Sequence, residues 1–148
     1  MNRSAKASCR LSCGTSSTIC GTTPLAADFD GDGKADFGAY ERDTGWWYIL
    51  SRRGVFTKKQ FGYPGVTPVI ADFDGGGADF VVFDRAIGRW YILGQRAGFS
   101  VRDFGYRGVL PLTADFDGDR RTDIGVYDPK RAFWYLLRTS SGFRASGF

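Results

Sequence analysis

One unit is written three times in this chain of 148 residues, and no fold that ignores the repeat can be right. The string Ala-Asp-Phe-Asp-Gly stands at 27 to 31, 71 to 75 and 114 to 118, so its first Asp recurs at steps of 44 and 43 residues. A second marker, Trp47-Tyr48-Ile49-Leu50, returns as Trp90-Tyr91-Ile92-Leu93 and Trp134-Tyr135-Leu136-Leu137, at steps of 43 and 44. Phe61, Phe104 and Phe148 follow their Trp by 14 residues in every copy. One interval breaks the pattern: Asp28 to Trp47 and Asp115 to Trp134 span 19 residues, whereas Asp72 to Trp90 spans 18. The second copy is one residue short, and the shortage lies in its Asp-rich loop. A unit of this length cannot bury its own apolar face, so neighbouring copies must bury it.

Within the first copy the pattern predicts four short strands: Thr23 to Ala27, Asp36 to Glu41, Trp46 to Ser51 and Val55 to Phe61, joined by turns at Asp43-Thr44-Gly45 and Arg53-Gly54. Composition supports strands over helices, with 21 Gly, and a single Glu (Glu41) among 16 acidic residues. In the third strand Trp47 and Ile49 point one way and Tyr48 and Leu50 the other, so both faces need cover. The expected fold is all-β: three four-stranded antiparallel blades of a β-propeller, forming a partial ring or one completed by oligomerisation. Blade 1 covers 22 to 65, blade 2 covers 66 to 108 and blade 3 covers 109 to 148, after a disordered Ser/Thr- and Cys-containing head at 1 to 21. A single twelve-stranded β-sandwich is the alternative, and the recurrence of whole units argues against it.

Asp28, Asp30, Asp32 and Asp36 occupy positions 1, 3, 5 and 9 of a loop with Gly at 4 and 6. Four carboxylates in nine residues repel one another unless a hard cation sits among them, and Ca²⁺ takes six to eight oxygens. Lys34, at position 7, offers a backbone carbonyl. Position 12 holds Ala39 instead of an acid, which excludes an EF-hand. The third loop keeps the set as Asp115, Asp117, Asp119 and Asp123, with Arg121 at position 7 and Arg120 at position 6, where a left-handed backbone would cost about 1 kcal/mol. The second loop retains Asp72, Asp74 and Asp79 but loses position 5, so it is expected to be a degenerate metal loop. About two Ca²⁺ per chain is the resulting expectation.

These units resemble the FG-GAP repeats, grouped with bacterial VCBS-type repeats, over residues 22 to 148. The likeness rests on Asp-Phe-Asp-Gly-Asp-Gly-Lys-Ala-Asp, Gly-Trp-Trp-Tyr-Ile-Leu and Phe-Gly. It implies a calcium-binding propeller of the kind found in integrin alpha-subunit heads and secreted bacterial proteins. By the same resemblance the eight Asp of loops one and three are calcium ligands, the role is adhesion or ligand recognition, and the location is secreted or at the cell surface.

The remaining sequence narrows the function classes. No His occurs, which removes the usual general base and every Ser-His or Cys-His nucleophile. Cys9, Cys13 and Cys20 lack a fourth ligand for a tetrahedral zinc site. Residues 1 to 21 lack the apolar core of a signal peptide, and no run is long enough for a membrane span. Outside the Asp loops the body is strongly basic, yet no basic run or motif supports nucleic-acid binding.

The leading expectation is therefore a non-catalytic, calcium-stabilised recognition module, with a glycan or a protein as ligand and a lectin-like role as its most concrete form. Trp46, Tyr63, Arg85, Tyr106 and Arg107 are the candidate ligand contacts, since aromatic faces and planar Arg donors suit sugars, although the same residues would equally serve packing between blades. The alternatives are an accessory propeller segment of a larger secreted enzyme, or a carboxylate-based glycosidase using Glu41, Asp43, Asp84, Asp103 or Asp128. Three blades leave two end faces open, so a homodimer closing a six-bladed ring, or further blades of a longer parent, is expected to cover them.

Overall fold

Short alternating segments separated by glycine turns form twelve strands and no helix in a computed structural model that describes residues 21 to 147. The expectations for Cys9, Cys13 and Cys20 and for most of the head lie outside those residues. The first sheet contains β1 (Thr22–Ala27), β2 (Asp36–Glu41), β3 (Trp46–Leu50) and β4 (Phe56–Gln60). The second contains β5 (Val66–Ala71), β6 (Asp79–Asp84), β7 (Arg89–Gly94) and β8 (Gly98–Asp103). The third contains β9 (Leu110–Ala114), β10 (Asp123–Asp128), β11 (Phe133–Arg138) and β12 (Gly142–Gly147). Each sheet is an antiparallel meander in strand order, and the first strands β1, β5 and β9 of successive sheets lie beside one another. This is the blade arrangement of a β-propeller.

In the first two blades the 14-residue spacing from Trp to Phe is a contact. Trp47 and Trp90 are fully buried, and their indole N–H groups donate to the carbonyls of Phe61 and Phe104, 14 residues on, at 2.7 and 2.8 Å. The N–H of each Phe in turn donates to the carbonyl of Gly45 or Gly88. Those glycines have positive φ and lie so close to Gly62 and Gly105 that a Cβ would fall 2.3 to 2.4 Å from backbone, so no other residue fits.

Two clusters form at the blade junctions. Between the first two blades, Phe29, Tyr40, Trp47 and Ile49 pack with Val66, Ala78, Val82 and Phe80. Between the second and third, Val81, Phe83, Trp90 and Ile92 pack with Val109, Ile124 and Val126. Tyr63 locks the first junction: its hydroxyl donates to Asp84 at 2.5 Å and its ring meets Tyr91 edge-on at 6.0 Å. Tyr106 repeats the clasp on Asp128 and Tyr135, at 2.6 and 6.0 Å. The expectation that both faces of the third strand are covered fails in the first blade. There Leu50 is 46% exposed and Phe37 is 72% exposed, because among the described residues no blade packs against the face they share.

Candidate metal centres and inter-blade clefts

Each Asp loop connects the first two strands of its blade, and each gathers three carboxylates whose oxygens lie within 4.8 Å of one another. The trios are Asp28, Asp30 and Asp32; Asp72, Asp74 and Asp79; and Asp115, Asp117 and Asp123. Such clusters could hold a metal ion. The loops are curled by their own first residue: Asp28 accepts the N–H groups of Gly31, Asp32 and Gly33 at 2.7 to 3.0 Å. Desolvation pushes the Asp28 carboxyl up, and the backbone N–H groups of Gly33, Gly31, Asp32 and Asp30 outweigh it, holding the group below the ordinary carboxylate range. Asp115 likewise accepts the N–H groups of Gly118, Asp119 and Arg120. Arg120 takes φ 68°, the left-handed conformation that its glycine counterpart Gly33 adopts at 82°.

The turn between the third and fourth strands closes over each loop. In blade 1 Arg53 lies 3.7 Å from both Asp30 and Asp32, largely in solvent. In blade 2 the N–H groups of Arg96 and Ala97 both donate to Asp74 at 2.7 Å. In blade 3 Ser141 and Ser140 donate to Asp117 at 2.7 Å, and these two hydroxyls pull its carboxyl down to about 2. Thr139 Oγ1 donates to Asp119 at 2.6 Å. The backbone N–H groups of Lys34 and Arg121 are turned onto Asp32 and Asp119.

The last Asp of each loop has a second role. Asp36, Asp79 and Asp123 are buried and act as backbone staples. Asp36 accepts the N–H of Phe29 at 2.9 Å and of Arg52 at 3.0 Å. Asp79 accepts from Phe73 and Gln95, and Asp123 from Phe116 and Thr139. Asp79 and Asp123 also belong to the trios of their loops, whereas Asp36 stands outside the trio of loop one and Asp119 outside that of loop three. Loop two, expected to be degenerate, nevertheless brings Asp72, Asp74 and Asp79 together. Its missing residue is explained by packing: Ala78 N–H donates to Asp28 O at 2.6 Å, and Gly77 lies against the backbone of loop one.

The proposed ligand contacts fall into two groups. Tyr63 and Tyr106 have their hydroxyls committed to the junction clasps, and Trp46 lies beneath the Lys58 ammonium at 4.2 Å. Arg107 is exposed, and Arg85 lines a cavity of about 440 Å³ with Arg42, Asp43 and Thr23. Two equivalent clefts escaped the sequence reading. The one between blades 1 and 2, about 260 Å³, is lined by Val55, Thr57 and Phe80; the one between blades 2 and 3, about 350 Å³, has Gly98, Ser100 and Ile124 at the same repeat positions. Smaller side chains widen the second cleft, a difference visible once the copies are aligned.

No family model matches the sequence, and no curated protein matches it. The solved structure of a streptogramin B lyase, a β-propeller, is similar in fold, with a TM-score of 0.51 and 16% identity over 76% of this chain and 37% of that one. This chain thus spans little more than a third of that structure, and at such identity the likeness is one of architecture. It corrects one expectation: the architecture occurs in an enzyme, so blades of this kind are no argument that the chain is non-catalytic. Among the described residues, no helix is long and apolar enough to cross a membrane.

Proposed function

We propose that this chain is a calcium-stabilised recognition module of the FG-GAP and VCBS type, working outside the cell or at its surface. The observation that carries the reading is the convergence of carboxylates in loops already curled by backbone N–H groups, which leaves the ion to neutralise repulsion the fold has created. Loops one and three, with four Asp each, take one Ca²⁺ apiece, and loop two binds more weakly. The ligand is a glycan or an acidic polysaccharide, met by Trp46, Arg85 and Arg107 on the blade edges. The end faces of the array are covered in the working protein by further blades, from a second copy or from a longer chain.

Isothermal titration calorimetry on the folded chain is the test. About two Ca²⁺ per chain are expected, with Mg²⁺ a poor substitute because it demands tighter octahedral geometry. At a hundredfold excess over the dissociation constant, each ion adds about 2.7 kcal/mol to stability. A stoichiometry of zero, or one unchanged in an Asp30→Ala, Asp117→Ala double variant, overturns the reading.

A further inference from the structure

The same knob-and-socket contact is made twice inside the chain, and the end blades carry the counterpart knob, exposed, and the counterpart socket, half-buried. At the first junction the Phe80 ring of blade 2 inserts against Trp47 and Phe29 of blade 1, at centroid distances of 5.4 and 6.1 Å. At the second, Ile124 of blade 3 takes the same position against Trp90, with Phe73 beside it, and is 6% exposed. The counterpart knob on blade 1 is Phe37, 72% exposed, with Leu50 opposite it on β3. The counterpart socket on blade 3 is built from Trp134 and Phe116, both only half-buried, whereas Trp47 and Trp90 are fully covered. Polar complementarity has a counterpart too: Gln95 reaches across the first junction to donate to Phe29 O at 2.7 Å, and its place in blade 1 is held by Arg52, another long donor.

We propose that the occupant of the Phe37 face is the third blade of a second copy of this chain. Two copies joined head to tail make the contact twice and close a six-bladed ring with two-fold symmetry. A second copy is favoured over an unrelated partner because this chain supplies both the apolar knob and the Trp socket and has packed that pair together twice. The proposal deepens the reading that further blades cover the ends, and it requires no metal.

Sedimentation equilibrium on the full chain, from about 1 to about 100 µM and with and without EDTA, tests it. A single monomer–dimer equilibrium is expected, so failure of calcium binding and failure of assembly are read separately. Phe37→Glu is expected to weaken dimerisation by about a hundredfold, as for a buried aromatic anchor. Because Phe37 is exposed in the single chain, the melting temperature at the lowest concentration should not move. Leu50→Glu, also on the exposed face, is expected to act the same way. A monomer throughout the range, which would assign the face to a blade outside this chain, overturns the proposal. So do open polymers that grow with concentration, and so does a dimer that both variants leave intact.

Discussion

Replacing Asp36 separates a metal ligand from a backbone staple. Its carboxylate is 1% exposed and accepts two N–H groups, from Phe29 at 2.9 Å and Arg52 at 3.0 Å. A hydrogen bond to a charged group contributes about 1.5–3 kcal/mol, so Asp36→Ala, which strands both donors, should cost about 3–6 kcal/mol. Asp36→Asn keeps one acceptor oxygen and turns an NH₂ toward the other donor, so roughly half that loss is expected. Asp30, exposed at the loop rim, is the control: in EDTA, Asp30→Ala should cost less than about 1 kcal/mol. Urea unfolding in EDTA, followed by tryptophan fluorescence, reads the difference. With a slope of about 2 kcal/mol per molar urea, a loss of 4 kcal/mol moves the midpoint by about 2 M. In calcium the order should invert for affinity, with Asp30→Ala losing the ion of loop one. The reasoning fails if Asp36→Ala in EDTA is no more destabilising than Asp30→Ala.

Two further outcomes follow from the junctions. Gly77 has φ 106° and a Cβ there would meet Asp28 O at 3.1 Å and Gly31 N at 3.2 Å; Gly77→Ala should cost about 2–4 kcal/mol by calorimetry, whereas Gly65→Ala, at φ 98° in open space, should cost only the backbone strain of about 1 kcal/mol. Desolvation and the adjacent Asp128 push the Tyr106 phenol up to about 12. Because the folded value lies above the unfolded value near 10, this stabilisation is complete below about pH 10 and is lost as pH rises toward 12. Melting temperatures between pH 9 and 12 should therefore fall less steeply in Tyr106→Phe than in the parent.

The blades were legible because one spacing in the repeat encodes a contact. The 14 residues from Trp to Phe measure the reach of an indole N–H across the hairpin to a carbonyl. What spacing does not encode is which way a carboxylate turns. Asp36 at position nine suits a cation and a pair of N–H donors equally well on paper: the β3–β4 turn brings Arg52 N–H to it just as Gln95 and Thr139 N–H reach Asp79 and Asp123, yet of the three Asp36 alone stands outside a carboxylate trio. On the sequence Tyr63 and Tyr106 are exposed aromatics with two possible uses, and Asp84 and Asp128 are the partners that decide between them. The Tyr-to-acid interval is 21 residues at the first junction and 22 at the second, a signal carried between copies that comparison within one copy cannot see.

Loop two shows why the Asp loops and the blade junctions cannot be treated apart. Its three glycines and its missing residue let loop one come close enough for Ala78 N–H to reach Asp28 O at 2.6 Å, while Gln95 spans the same gap to Phe29 O. Asp28 is also the residue whose carboxylate curls loop one and belongs to its carboxylate trio. An ion held by that trio would fix the peptide whose carbonyl receives blade 2, so calcium at loop one and docking of blade 2 draw on one segment of backbone. At the second junction a cross-blade bond runs from Thr113 Oγ1 to Ile70 O, between the first strands β9 and β5 of the two blades, and its acceptor carbonyl is not that of an Asp of the trio. Calcium should therefore protect the Ala78 amide from hydrogen exchange more than any amide of β9, and equal protection at both junctions would mean that the ion and the blade contact are independent.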